Sequence, residues 1–451
     1  MINTLYLPEL REMLAENDSD GLRSFCEALN PVRAAEFMSG LNSEETWRVI
    51  QQTDLESRVD IFSYLDPDKK NEVLENCQIN EVAKLVAELP PDDRVDLLQG
   101  IDAKRRNKLL AIIPVEERRD FQRLSQYPEG TAGAVMTTEI ARLTEDLTTH
   151  EALNEIARQI EDYETIYYLY VVDAEDRLRG IVSARQLLAG MRQSDIRLHE
   201  IMESDLVLAN VDEDQEDVAN KVAKMDLLAI PVVDNQHKLL GIITHDDVID
   251  VVREEATEDA HRIGAVDPLD ESYLRTSLLT LSWKRGIWLS FLFFFALITT
   301  IALDNYESVM DKWKWLMAFI PLVISSGGNS GSQSATLIIT ALSRKHVVVG
   351  DLAKVVVREL SVGLLLGGAL AALGFIASLF IVPAGLATSA FLIIPLTLLT
   401  VVICGTLIGS VLPIAFESIG WDPAIMSTPL VAGIVDIIGI VIYVNLAILL
   451  G

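Results

Sequence analysis

The sequence predicts a chain built for two solvents: an α-helical N-terminal bundle, an α+β tandem repeat, a connecting helix, and a five-helix transmembrane domain. Three observations lead there. The chain has 451 residues and a net charge of −29, yet from Leu281 onward it carries eight basic and eight acidic residues, so the whole acidic excess lies in the first 280. A block of strand-like sequence recurs at an offset of 61 residues. Five apolar segments, at about 283–303, 313–341, 353–381, 388–413 and 423–450, are each long enough to cross roughly 30 Å of hydrocarbon. The expected divisions are therefore residues 1–130, 131–252, 253–280 and 281–451.

An acidic surface of this strength repels nucleic acid and anionic headgroups and attracts cations, so nucleic acid is not an expected partner. Cys26, Cys77 and Cys404 are odd in number and far apart, which suits a reducing compartment and no thiolate metal site. The opening MINTLYLPELREML has neither a basic nor an apolar signal region, so the acidic half is expected in the cytoplasm.

From about residue 5 to 125, apolar residues recur at helical spacing, punctuated by prolines: Asn30-Pro31, Asp66-Pro67, Pro90-Pro91 and Ile113-Pro114. Proline at the first helical position predicts a set of short stacked helices. In DDRVDLLQG, Asp92 and Asp96 stand four apart, hence on one helix face. Read alone, that face is a solvated helix start.

In the repeat, Val171-Val172-Asp173 and Gly180-Ile181-Val182-Ser183 recur as Val232-Val233-Asp234 and Gly241-Ile242-Ile243-Thr244. Each copy reads as strand, turn, strand opening at glycine, then helix (Ala184 to Met191; His245 to Val252). Ala134-Val135-Met136 and Glu200-Ile201-Met202 open the copies. The pattern resembles a tandem CBS pair, a regulatory module, and the resemblance implies nucleotide contacts at Gly241, Thr244 and Asp247; the first copy has Gln186 where the acid belongs.

The stretch after the second copy, DDVIDVVREEATEDAHRIGAVD, reads as a helix with Asp247, Asp250, Glu254 and Glu258 on one stripe. Like charges at that spacing destabilise a bare helix, so a cation lies against the stripe or water solvates it. Asp212 to Asp217 form a second acidic run, with Asp226 beyond it.

In the membrane half, Lys284, Arg285, Arg344, Lys345, Lys354 and Arg358 flank one side and Asp304, Glu307 and Asp311 the other, placing the acidic half in the cytoplasm. Trp283, Trp288, Trp313 and Trp315 sit near segment ends, as interfacial anchors do. Gly363 with Gly367 and Gly405 with Gly409 permit close helix approach. The stretch Ser325-Ser326-Gly327-Gly328-Asn329-Ser330-Gly331-Ser332-Gln333-Ser334 makes a poor lipid-facing helix and is expected to line a polar path, the alternative being small residues that let helices touch. Asp436 is the one charge in the last segment. An ionised acid at that depth costs on the order of 3 kcal/mol or more, so it is expected on the same path. Glu359, beside Arg358, is read as a local structural pair.

Taken together, the acidic helical domain, the CBS pair, the acidic helix and the motifs PLVISSGGNSGSQSAT and PLVAGIVD resemble the MgtE family of magnesium channels over nearly the whole chain. The resemblance implies a homodimeric, multi-pass channel of the inner cell membrane, not an enzyme. It would carry Mg2+ and close when cytoplasmic Mg2+ is high; whether ATP or another nucleotide occupies the CBS pair is left open by the sequence. It places the pore carboxylate on Asp436 and the cytosolic metal sensors on Asp92, Asp96, Asp214, Glu216, Asp226, Asp247, Asp250, Glu255, Glu258 and Asp259, with the helix around 248–266 as a plug. Thr428 stands where some members carry an amide. An intramembrane metalloprotease is disfavoured because the six histidines, 150, 199, 237, 245, 261 and 346, offer no HExxH. A sodium- or proton-coupled divalent cation transporter is the alternative; a receptor without transport leaves the mid-membrane acid without a use.

Overall fold

The computed structural model describes residues 5–160, 163–190, 196–269, 272–383 and 386–450. Met191, the expected end of one helix, lies outside them. The chain divides into two compact units, Met1–Arg253 and Glu254–Gly451.

The first unit opens with ten short helices, α1–α10: Leu7–Glu16, Ser19–Ala28, Pro31–Phe37, Ser43–Ile50, Leu55–Ser63, Pro67–Asn76, Ile79–Ala87, Pro91–Gln99, Ala103–Ile112 and Val115–Leu124. Proline takes the first position of α3, α6 and α8, as its fixed φ and missing N–H favour, and Pro114 stands just ahead of α10. Arg94 on α8 is 3 % exposed, and its guanidinium donates to the carbonyls of Val86, Ala87 and Leu89, closing the end of α7.

The repeat then folds as two three-stranded sheets. The first runs β1 (Ile140–Thr144), α11 (Thr149–Gln159), β2 (Thr165–Val172), β3 (Leu178–Ser183), α12 (Ala184–Gly190); after α13 (Leu198–Ile201), the second runs β4 (Ala209–Asn210), α14 (Gln215–Met225), β5 (Ala229–Val233), β6 (Leu239–Thr244), α15 (His245–Ile263). In both, the first strand pairs parallel to the second and the second antiparallel to the third. The opening segments are exchanged. Thr137 bridges to Ile242 and Glu203 to Ile181, so each copy's methionine passes over the other copy's glycine. A Cβ on Gly241 would lie 2.4 Å from the Thr137 carbonyl, and one on Gly180 would lie 2.7 Å from Met202 Sδ. Those glycines are required by chain packing. The main core of this unit is continuous from the short helices (Leu98, Phe121, Leu124) into the second copy (Val218, Val222, Ile230, Val248).

The connecting helix differs from the expected 253–280. The structure forms α15 over His245–Ile263; Gly264 follows, and Ala265 takes φ 56°, a left-handed stop.

The second unit holds α16 (Leu278–Asp304), α17 (Glu307–Lys312), α18 (Ile320–Ser343), α19 (Leu352–Ile381), α20 (Ile393–Ser418) and α21 (Thr428–Leu450). Among the described residues, four helical segments are long and apolar enough to span a membrane, Leu278–Asp304, Val349–Ile381, Thr388–Ser418 and Thr428–Leu450, where five were expected. The remaining one is α18, an unbroken 24-residue helix made less apolar by its Gly, Ser, Asn and Gln content. It packs on α20 and α21. A Cβ on Gly405 would lie 2.6 Å from the Gly327 carbonyl, and one on Gly409 would lie 2.1 Å from that of Gly331, so the α18 and α20 backbones touch through paired glycines.

Candidate functional site

In the first unit, the Pro90-Pro91 start of α8 puts Asp92 and Asp93 in its first turn, where the helix dipole favours acids. The fold brings them near Asp247 on α15 and Glu164 just before β2. Burial, then Asp247, Asp93 and Glu164, raise the Asp92 carboxyl well above the usual range, and its Oδ1 is buried without a hydrogen-bond partner. Burial and the charges of Asp247, Glu139, Asp246 and Asp93 push Glu164 to about 7. Burial raises Asp247 to about 6 although the Thr244 hydroxyl and backbone N–H both donate to its Oδ2. Asp93 is raised by desolvation, with Lys70 opposing and Asp246 and Asp250 adding. The result is a pocket of acids with too little positive charge. Among the described residues no three His, Cys, Asp or Glu side chains converge tightly enough to chelate a bare metal.

Of the acids expected as sensors, the structure brings Asp92 and Asp247 together, and beside them lie Asp93, Glu139, Glu164 and Asp246, which the sequence did not group with them. Asp96 is exposed on α8. Asp250 is exposed and pairs with Arg253 at 3.1 Å. Asp214 caps the start of α14 by accepting from the Glu216 N–H, while Asp226 ends the same 11-residue helix in a left-handed conformation. About 18 Å of helix separates those two acids, so they share no site within one chain.

The motif implied to contact nucleotide is engaged internally in both copies. Thr244 donates to Asp247 at the start of α15, and the Ser183 N–H and hydroxyl donate to Gln186 Oε1 at 2.8 and 2.7 Å at the start of α12. Gln186 therefore performs the acid's capping role in the first copy. The Thr137 and Tyr170 hydroxyls, both buried in this pair of sheets, have no partner.

In the second unit, the end of α15 is fastened to the cytoplasmic ends of the long helices. Arg262 forms ion pairs with Glu258 and Asp422, the Ser343 hydroxyl of α18 donates to Asp259 at 3.0 Å, and the Thr428 hydroxyl of α21 donates to the Ile263 carbonyl at 3.2 Å. Burial and the nearby Asp422 raise the Asp259 carboxyl, with Ser343 opposing. Glu255 is half-buried on this segment.

Asp436 is the ninth of the 23 residues of α21 and faces α18, where a Cβ on Gly328 would lie 3.2 Å from its Oδ1. The absent side chain at Gly328 leaves the carboxylate room. On the same helix Ser325, Asn329, Gln333, Thr336 and Thr340 form a polar stripe exposed on the single chain. Such a stripe has no place against lipid. Glu359, expected beside Arg358, instead accepts from the Ser334 hydroxyl at 2.7 Å.

Comparison with known proteins agrees with this layout. The family profile described as "Divalent cation transporter" (MgtE) matches residues 320–446, the MgtE intracellular N domain matches 29–130, and the CBS domain matches 132–192 and 198–254. The magnesium transporter MgtE of Thermus thermophilus is 36% identical over 447 residues, covering 98% of this chain and 97% of that protein. The magnesium transporter MgtE of Enterococcus faecalis is 32% identical over 338 residues, covering 74% and 72%. Among solved structures, the cytosolic domain of the Mg2+ channel MgtE in complex with ATP has a TM-score of 0.51 and 33% identity, and covers 54% of this chain and 98% of that one. The soluble part of a magnesium transporter also has a TM-score of 0.51, with 32% identity, covering 55% and 97%. With both membrane motifs, the CBS pair and the acidic helical domain matched in order, the chain belongs to the MgtE family of divalent cation transporters: a multi-pass membrane protein, not an enzyme, whose N-terminal half is the cytosolic part.

Proposed function

We propose that the chain is a magnesium-selective channel that admits Mg2+ across the cell membrane and is closed by Mg2+ bound to its acidic cytosolic half. The observation that carries this reading is the Asp436 carboxylate, placed against Gly328 in an otherwise apolar helix. Mg2+ gives up its waters reluctantly and prefers oxygen ligands. Two copies of the chain, each lending Asp436 at a shared axis, would hold a largely hydrated ion, and the ion would offset the burial of both acids. The polar stripe on α18 supports that axis, since a second copy or a water-filled path is what it requires. In this reading α18 is the fifth span, the assembly is a homodimer in the bilayer, and the functional divisions are 1–130, 131–252, 253–280 and 281–451.

Closure follows from charge. Two unit charges 4 Å apart repel by about 4 kcal/mol at an effective dielectric near 20. The acids around Asp92 and Asp247 carry that repulsion until a cation cancels it. Asp96, Asp214, Glu216, Asp226, Asp250 and Glu255 would complete sensor sites with a partner copy, whereas Glu258 and Asp259 hold the end of α15 as a plug. Bound Mg2+ favours the compact, closed form by differential binding. ATP is the proposed ligand of the CBS pair at Gly241 and Thr244. Its arrival would compete with Asp247 for the Thr244 hydroxyl, linking nucleotide to the same acids.

The test is current through the reconstituted protein, with Mg2+ as the only external permeant cation and cytoplasmic-side Mg2+ stepped upward from zero. Current that follows the electrochemical gradient and stops as cytoplasmic Mg2+ rises is expected. Flux that instead tracks a sodium or proton gradient would replace the channel by a coupled transporter.

A further inference from the structure

We propose that Glu359 is the positioning residue of the ion pathway: as a hydrogen-bond acceptor for Ser334 it sets the rotation of α18, and so the face that α18 turns toward Asp436. This inference rests on the reading of Asp436 as the pore carboxylate. It concerns a residue that neither conducts nor senses.

The stripe that α19 buries consists of Val355, Glu359, Gly363, Gly367, Gly374 and Ser378, flanked by half-buried Val356, Leu370, Ala371 and Ala377, with the rest of the helix exposed on the single chain. Glu359 is its one acid and is 8 % exposed. It lies about 10 Å along α19 from the cytoplasmic end. Three helices meet at it. Its Oε2 accepts from Ser334 of α18 at 2.7 Å, and its backbone carbonyl accepts from the Thr406 hydroxyl of α20 at 3.3 Å. Gly363, one turn on, makes room for that hydroxyl: a Cβ there would lie 2.7 Å from Thr406 Oγ1. Ser334 and Thr406 are themselves buried, at 5 % and 1 % exposure.

An acid is an expensive way to fill space in a bilayer, so its presence calls for a job that an apolar side chain would not do. The α18–α20 contact supplies one. Where Gly327 and Gly331 meet Gly405 and Gly409, backbone approaches backbone; Val401 packs over Gly327, the Ser330 hydroxyl donates to the Val402 carbonyl at 3.5 Å and the Ser332 hydroxyl to the Thr428 carbonyl at 3.0 Å, all of them contacts to α20 and α21. The bond from Ser334 to Glu359 ties α18 to α19 as well, a third point of attachment on another side of the helix that holds its rotation. Ser334 follows Gly328 by six residues, which at 100° per residue puts the two about 240° apart around α18, one facing α19 and the other facing α21. A slip of about 20° would move atoms at a helix surface of radius ~5 Å by roughly 2 Å. A displacement of that size would bring the α18 backbone at Gly328 against the Asp436 carboxylate or draw it away, since even a built Cβ there stands only 3.2 Å from Oδ1.

The test measures Mg2+ flux and the Mg2+-to-Mn2+ permeability ratio of the full chain in proteoliposomes. The variants are Glu359→Ala, Ser334→Ala, the double variant and Glu359→Gln, with Asp436→Ala alongside. Each alanine change is expected to cut Mg2+ flux about tenfold and shift the ratio, since small misplacements near a reacting or permeating centre have effects of that size or larger. The double change should be no worse than either single one, because both remove one bond. Glu359→Gln keeps an acceptor oxygen and should restore both flux and ratio. Melting in detergent confirms that the variants are folded, and if Glu359→Ala does not fold, Ser334→Ala against Glu359→Gln decides the matter. Wild-type permeation by Ser334→Ala, or Glu359→Gln failing like a lost acceptor, overturns the proposal. A conducting Asp436→Ala overturns the pore reading instead.

Discussion

On the proposed reading, the acids around Asp92 would make the cytosolic half respond to protons as well as to Mg2+, and the size of the proton response follows from the structure. Burial, with neighbouring acids adding, pushes Glu164 up to about 7 and Asp247 up to about 6 from ordinary values of 4.5 and 3.8. A carboxyl whose folded pKa is raised binds more protons folded than unfolded, so stability falls as pH rises from about 4 through 7 and is regained on acidification through the same window. Two units per group is on the order of 3 kcal/mol each, but both side chains are half-exposed, and screening reduces the pair to about 1–2 kcal/mol. For a unit of this length that is a melting shift of roughly 2–8 °C.

The assay is thermal unfolding of a fragment ending at Ile263, where α15 stops, followed by the fluorescence of Trp47, the single tryptophan in that stretch. Without divalent ions, melting should rise by roughly half that amount between pH 8 and pH 5.5, since Glu164 takes up most of its proton there and Asp247 only part of its own, the remainder falling between pH 5.5 and about 4. Millimolar Mg2+ at pH 8 should give a rise of similar size and abolish the pH dependence, because proton and cation relieve the same repulsion. Glu164→Gln should raise the melting temperature at pH 8 without Mg2+ and shrink the Mg2+ effect. Equal melting at both pH values, or a pH effect that survives saturating Mg2+, would refute the reasoning.

Other consequences can be checked singly. Asp436→Ala should abolish Mg2+ current in voltage clamp while leaving the Mg2+-dependent melting of the cytosolic fragment unchanged. Gly409→Ala places a methyl 2.1 Å from the Gly331 carbonyl, so α18 and α20 must part; it should lower the melting temperature of the detergent-solubilised chain far more than Gly368→Ala, whose Cβ meets nothing within 4 Å. Arg94→Ala leaves three buried carbonyls without their donor and should cost about 3 kcal/mol in a urea titration of the cytosolic fragment. Ser343→Ala removes the donor to Asp259 and should raise the cytoplasmic Mg2+ needed for closure, read from current against Mg2+ concentration.

What the sequence made legible, and what it hid, divides along the range of the interaction. Proline at helix starts and the 61-residue repeat are local or periodic signals, and the structure places α3, α6, α8 and both sheets where they point. Asp247 stands out in the sequence because helical spacing puts it on an acidic stripe, but the same spacing pairs Asp92 with Asp96 rather than with Asp93, and Glu164 joins the cluster from the approach to a strand, with no periodicity that ties it to residue 92 or 247. The same limit explains the glycines. Gly405 and Gly409 advertise a close approach, but their partner, Gly327 with Gly331, is embedded in a polar run whose composition draws attention to the pathway. The structure bears out the expectation that small residues in that run let helices touch, since its glycine face meets α20; Gly328 beside Asp436 and the exposed Ser325–Asn329–Gln333 edge are what the proposed polar path would use. Sequence proximity offered Glu359 the neighbouring Arg358 as a partner, but residues adjacent on a helix diverge by 100°, so the fold turns Glu359 inward to Ser334 and leaves Arg358 exposed.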